Sequence, residues 1–482
     1  MSKKDNILGK IIEFGIYGLI ILSPLPAASV NEWSILFIQL TVLTMLAAYI
    51  GMTQKPDINR QLALSMKWPA IFFAGFFVFL ILQMLPLPVD IVKSLTPESY
   101  ISQARYMPDF DSSRLSTISL IPVYTLRKGL ELLTYFILGF LIIRTVTGKK
   151  QLLNIVYALI ISGCFQTIYG LIQLYNENPR ILFYEKHYNI DSLTGTFVNR
   201  NHLSGYLEMI VPLCLALIIL QVNKIRLSGL TWKQKVIRLS EKSASVLILI
   251  ICATIIMSLG IILSKSRSGL FLNFFSYILF FGGVTLIFRR DINTNKWMKR
   301  VLILLFLAIV LFSMQLGISS ALDRFDDDEL LLGGRSTYWK NTWNIFKQYP
   351  IFGIGFGTFT FVYPDWESNG TPIRLFHAHN DHLEYLTELG ILGFLLLMAG
   401  LTALIVICIH HWRRSSYSSA MMIAVGGGVG IANIMIHSFT DFNLHIPANM
   451  LLFSMVLSLS IAGIFFKRKN KHSSNIRHKN SV

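Results

Sequence analysis

The sequence is short of charge: Asp, Glu, Lys and Arg together make up 14% of 482 residues, while 53% belong to the apolar and aromatic set. A chain this apolar does not suit a soluble multidomain enzyme. Cysteine is scarce too. Cys164, Cys214, Cys252 and Cys408 fall one per apolar segment, with no CxxC spacing and none in a polar loop. That pattern predicts neither a disulfide framework nor a thiolate metal site. No repeat of solenoid period is present, and only the C-terminal tail has a composition that reads as disordered.

Long apolar runs are what the chain does have. A bilayer core takes about 20 apolar residues per helix. Runs of that kind occur near 8–28, 34–51, 69–87, 129–146, 152–175, 202–222, 245–264, 269–288, 301–320, 386–411, 419–440 and 447–466. They predict an all-α polytopic membrane protein with about twelve spans. The first run follows Lys3, Lys4 and Lys10 and ends at Pro26-Ala27-Ala28-Ser29, like a secretory signal. With eleven similar runs behind it, it is read as an uncleaved first span.

Charge placement tests the spans independently. Segments 1–10, 52–68, 144–150, 223–242, 289–300, 410–418 and 467–482 hold 28 of the 43 basic residues and only four acidic ones, Asp5, Asp57, Glu241 and Asp291. Every second loop is therefore basic, as cytoplasmic loops are. Both termini are expected in the cytoplasm, and the net charge of +17 reports orientation rather than nucleic-acid binding. The tail from Lys467 to Lys479 suits contact with anionic membrane lipid.

The opposite face carries loops 88–128, 176–201 and 321–384 and a hairpin at 264–268. The hairpin, Ser264-Lys265-Ser266-Arg267-Ser268-Gly269, puts two cations where the orientation rule expects few. Lys265 reads equally as snorkelling to lipid headgroups. Arg267 gains from the company of Arg200 and Arg335 in the other loops, because guanidinium binds phosphate through paired hydrogen bonds.

The long loop opens with the acidic residues Asp323, Asp326, Asp327, Asp328 and Glu329, read as a solvated surface. An amphipathic helix is predicted over 336–348, its Trp339, Trp343 and Phe346 stripe suiting a membrane interface. Gly353-Ile354-Gly355-Phe356-Gly357 resembles a dinucleotide loop only superficially, because no βαβ unit surrounds it; a glycine-rich turn fits better. His377-Ala378-His379-Asn380-Asp381-His382 matches the metal string of metallo-β-lactamases, but that fold needs a soluble sandwich. A metal on His377, His379 and His382 is the minority reading. Asp381 with Glu384 fits a capping box instead. His379 then sits at a helix N-terminus, where an anion is favoured and imidazole stays neutral, ready to accept a proton from a hydroxyl. A plain interfacial histidine is the alternative.

Four stretches resemble the O-antigen ligase and O-antigen polymerase superfamily of bacterial inner-membrane glycosyltransferases. They are Thr196-Phe197-Val198-Asn199-Arg200-Asn201-His202; Ser264 to Gly269; Gly334-Arg335 with Trp339, Pro350 and Gly353 to Phe359; and His377 to Gly393. The last contains the family's H-x10-G pattern, from His379 to Gly390, and Leu85-Pro86-Leu87-Pro88 is a lesser match.

The resemblance implies a GT-C-like helical fold with the large periplasmic loop before the tenth helix. It also implies an undecaprenyl pyrophosphate-linked glycan donor, a glycan or lipid A core acceptor, and no cofactor or metal. By motif, His379 becomes the base, Arg267, Arg335 and Arg200 the pyrophosphate contacts, and His202, Asn201, His377 and Lys265 second-rank residues. The chain then divides into spans one to nine (1–320), the periplasmic loop with the catalytic motifs (321–384), spans ten to twelve (385–466) and a basic cytoplasmic tail (467–482). Leu270 follows Arg267 one position too early for the R-x3-L element of some ligases, so ligase and polymerase stay open.

Two competing readings remain. A polysaccharide transporter or flippase would share the span count, but Glu13, Glu131, Glu208 and Asp441 fall toward span ends rather than the midplane that carriers use. A protein O-oligosaccharyltransferase would share the donor, but its relatives tend to carry Gln-Pro-Asn-His where this chain has Asn199-Arg200-Asn201-His202.

Overall fold

A computed structural model describes residues 2–55, 60–106, 115–225, 242–287, 303–304, 306–307, 311, 329–367, 375–414 and 418–466. The architecture is all-α. Its long helices are α1 (Lys3–Leu22), α2 (Glu32–Ile50), α3 (Lys67–Met84), α4 (Pro122–Thr145), α5 (Lys149–Leu174), α6 (Arg200–Val222), α7 (Lys242–Leu263), α8 (Arg267–Ile287), α9 (Glu329–Gln348), α10 (Asp381–Arg414), α11 (Ser419–His437) and α12 (Pro447–Ile464). Two antiparallel pairs, Leu87–Pro88 with Leu115–Ser116 and Arg180–Ile181 with Tyr184–Glu185, are the β-structure among the described residues.

Among the described residues nine of these helices are long and apolar enough to cross a membrane. They are α2, α3, α5 to α8 and α10 to α12. Two further expected spans form the helices α1 and α4, which carry Asp5, Lys10 and Glu13, and Arg127, Lys128, Glu131 and Arg144. Nearly all of the span expected at 301–320 lies outside the described residues, as do the acidic cluster 323–328 and the C-terminal tail.

The centre of the bundle is α6, buried from His202 to Val222 and packed against α5, α7, α8, α11 and α12. A helix apolar all round must be enclosed. Small residues let its partner come close. A Cβ on Gly426 or Gly430 of α11 would stand 2.7 Å from the Pro212 carbonyl oxygen or 2.6 Å from that of Met209.

The loop face is ordered by one broken helix. At Gly390 the backbone of α10 swings to φ 61 and ψ −178, freeing carbonyls that a regular helix would use. The glycine-rich turn takes them up: Ile354 N donates to Thr387 O at 3.1 Å and Gly355 N to Glu388 O at 3.0 Å. The Gln83 side chain donates to Phe352 O and Glu388 O, tying α3 to the same break. The Gly353–Gly357 stretch is thus a splice for a helix break, which explains its glycines without a nucleotide.

Where a loop was expected up to residue 384, α10 already begins at Asp381, and α9 is longer than the helix expected at 336–348. Its aromatic stripe divides. Trp339 donates its indole N–H to His379 O at 3.3 Å, while Trp343 stays exposed beside Phe346. Ile345 and Tyr349 enter a small separate core with Ile354, Phe359, Tyr363 and Ala378, which holds the loop segments beneath α9.

Candidate functional site: a buried aspartate gathers the loop-face residues

The short connection between α11 and α12 organises the site. Asp441 lies in it, 1% exposed, at the meeting point of three helix N-termini. Asn201, in the first turn of α6, donates its amide to Asp441 Oδ2 at 2.5 Å. Ser268, in the first turn of α8, bonds Thr440 at 2.8 Å. The Asp381 N–H that opens α10 donates to the carbonyls of Ser438 and Asp441. Three such termini create positive potential at one point, which favours an anion.

Two imidazoles and a guanidinium complete the cluster. Around the Asp441 carboxylate stand His379 Nδ1 at 3.4 Å, His202 Nε2 at 3.6 Å and Arg335 Nη2 at 3.8 Å. Burial opposes ionisation of Asp441, but His202 and His379 outweigh it and hold the carboxyl well below its usual range. Phe442 wedges between the rings of His202, His377 and His379 at 4.5, 4.5 and 4.8 Å. His379 itself is held in left-handed backbone, φ 53, with its carbonyl fixed by Trp339. With Nδ1 turned to a carboxylate, Nε2 is left as the basic nitrogen, the arrangement that prepares histidine to take a proton.

The structure places the other expected residues around this centre. Arg267 begins α8, one residue from the Ser268–Thr440 bond. Arg200 begins α6 and reaches Ser192 Oγ at 3.4 Å. Lys265 pairs with Asp191 at 3.0 Å.

His377 belongs to a second cluster. Its Nδ1 lies 2.8 Å from Glu384 Oε1, and His445 bridges Asp381 at 2.5 Å and Glu384 at 3.2 Å. Burial disfavours charge on His445, but Glu384, Asp381 and Glu388 overcome it and raise the imidazole to about 9. Burial keeps His377 below its ordinary value although Glu384 opposes this.

Two sequence expectations are corrected here. Asp381 does not cap α10: Asn380 does, its Oδ1 accepting from Leu383 N at 3.0 Å. The Asp381 carboxylate instead accepts from Ser438, Leu444 N and His445, and Glu384 accepts from Ala378 N. Nor do the three histidines of the string converge on a metal. His377 turns to Glu384, His379 to Asp441, and His382 to the Met435 carbonyl at 2.9 Å. Among the described residues, the set whose ligand atoms come within 4.8 Å of one another is His377, Glu384 and His445. Those atoms are already paired by acid–base contacts, and a protonated His445 offers no lone pair to a cation.

Asp441 and His445 were missed as site residues in the sequence because they lie in a connection of a few residues between two apolar runs. The available signal was Thr440-Asp441-Phe442-Asn443-Leu444-His445, an unusually polar string for so short a turn. Glu208 also differs from expectation: it sits two turns into α6, fully buried, with His437 Nδ1 at 2.9 Å.

A membrane-deep cavity of about 440 Å³ opens below the first turns of α10. Its wall is almost wholly apolar and runs from His382 and Tyr385 to Arg144 at the far end of α4, between α3, α4, α10 and α12.

Fold and site together define a polytopic membrane protein that presents a histidine–aspartate pair and arginines at one membrane edge, beside an apolar groove. Residues 252–398 match the family model described as O-antigen ligase. The matched stretch contains Arg267, Arg335, His379 and Gly390, and stops before Asp441. No curated protein matches the chain.

Proposed function

We propose that the protein is a bacterial inner-membrane glycosyltransferase that moves a glycan from an undecaprenyl pyrophosphate-linked donor to an acceptor hydroxyl at the periplasmic face. The observation that carries this reading is Asp441 holding His379 and Arg335 together at converging helix N-termini. His379 Nε2 takes the proton from the acceptor hydroxyl as its oxygen attacks the anomeric carbon. The bond from that carbon to the pyrophosphate oxygen breaks, and the lipid pyrophosphate leaves with the electron pair. Arg267 and Arg335, assisted by Arg200, neutralise its growing charge. Asp441 orients His379 and stabilises the imidazolium that forms. The apolar cavity below suits part of the donor's prenyl tail, and the alternation of basic loops supports cytoplasmic termini with this face in the periplasm.

The transporter reading draws on the Glu208–His437 pair inside the bundle. That pair is closed on itself directly below the turn that carries Asp441, where it serves as a support.

The acceptor is read from carrier lipids extracted after deletion of the gene in its host and examined by mass spectrometry. Accumulating single repeat units identify a polymerase. Long chains stranded on the carrier identify a ligase, with lipid A core or protein as acceptor. Unchanged pools contradict glycosyl transfer.

A further inference from the structure

A second cavity, of about 600 Å³, lies on the loop face between the helix Pro97–Tyr106, the end of α9 and the segment 361–366. Its chemistry is opposite to that of the membrane-deep groove, with polar and apolar surface in nearly equal share. Trp366 and Tyr349 supply aromatic faces, and Glu98, Asp365, Arg105 and Gln348 supply hydrogen-bonding groups. The walls are braced. Gln348 donates to Glu98 Oε2 at 2.9 Å, Ser102 bonds the Tyr349 hydroxyl at 2.7 Å, and Trp366 rests on the small core beneath α9.

We propose that this cavity is an oligosaccharide subsite, separate from the transfer site, that holds sugars several units away from the bond being formed. The inference deepens the glycosyltransferase reading and rests on it for the identity of the ligand. Pyranose rings offer an apolar C–H face to an indole and hydroxyl pairs to a carboxylate, and the cavity provides both partners side by side. Its size lies within the usual range for small-molecule sites. Two carboxylates against one guanidinium leave the wall net negative, so it selects neutral or amino sugars over uronic acids and phosphorylated sugars.

Helix α9 connects the two places. Arg335 stands near its start and Gln348 at its end, roughly 20 Å apart at the helical rise per residue. A glycan bound at the transfer site therefore reaches the cavity only when it is several sugars long. Chain-length dependence follows from that spacing.

The test is titration of the purified full-length protein with size-fractionated oligosaccharides cut from the host's own surface polysaccharide. Multi-repeat fragments are expected to bind about ten-fold more tightly than single repeats, the effect of one or two added charge-assisted hydrogen bonds. Trp366→Ala and, separately, Asp365→Asn are expected to abolish that advantage. Asp365 is exposed, so its variant keeps the test sound if Trp366→Ala does not fold. An unchanged length preference in Asp365→Asn, or no preference in the natural protein, overturns the subsite. Failure of the subsite is thus read in binding, while failure of the transfer reading is read in the carrier-lipid pools.

Discussion

Replacing His379 by alanine is expected to lower glycan transfer by about a thousand-fold, the middle to upper part of the range for a lost general base. The protein should remain in the membrane at its normal level. Asp441→Asn should cost about a hundred-fold or more, because an amide neither fixes the tautomer of His379 nor stabilises its cation. The two changes act on one unit. Combining them should therefore be scarcely worse than His379→Ala alone. The geometry behind this is specific: Asp441 is buried, faces His379 Nδ1 at 3.4 Å and is anchored by Asn201. Transfer assays on equal amounts of membrane-inserted variant decide the matter. Independent, multiplying losses would place the two residues in separate tasks, and full activity in His379→Ala would remove the base.

The second large effect concerns architecture. Gly390→Ala is expected to cost at least about 3 kcal/mol, combining a backbone region open to glycine alone with an overpacking clash. An added Cβ would stand 2.3 Å from the Ile351 carbonyl oxygen, and the backbone there has φ 61. Neither neighbour can yield easily, because the turn from Ile351 to Gly355 is spliced into the break by four backbone hydrogen bonds: Ile354 N to Thr387 O, Gly355 N to Glu388 O, Ile391 N to Pro350 O and Leu392 N to Ile351 O. Little folded protein should accumulate, and what remains should melt well below the natural chain in detergent. Gly18→Ala is the matched control, since no neighbouring atom lies within 4 Å of a Cβ there. Normal yield and melting of Gly390→Ala would show that the break is not needed.

The family's H-x10-G pattern acquires a physical meaning from this pair of predictions. Under the proposed function the histidine is the reactive end of the segment, and the glycine is the break at which the same helix docks on the glycine-rich turn. Their spacing fixes the distance from the docking point to the site.

The all-α membrane architecture was legible from the sequence because burial in a bilayer demands uninterrupted apolar runs, and nine of the described helices meet that demand. His379, Arg335, Asn201 and His202 were legible by motif, and the structure brings all four to one carboxylate. Asp441 was not, since its role arises only when α11 and α12 turn beside the tips of α6, α8 and α10. Local pattern misled at Asp381 and Glu384. Their spacing satisfies a capping box, yet tertiary contacts with His445 and His377 take both side chains elsewhere. The stripe on α9 misled for a related reason: amphipathic spacing shows that a face is apolar and says nothing of what covers it.

The most direct measurement is transfer by the purified protein in lipid vesicles containing a polyprenyl pyrophosphate-linked glycan and an acceptor, with EDTA present. The account predicts glycan transfer by the natural protein and almost none by His379→Ala. Equal product from both would contradict the assignment of the site. Loss of activity in EDTA that Zn²⁺ restores would turn His377, Glu384 and His445 into metal ligands, and failure to transfer to either a lipid A core or a lipid-linked glycan would contradict the function itself.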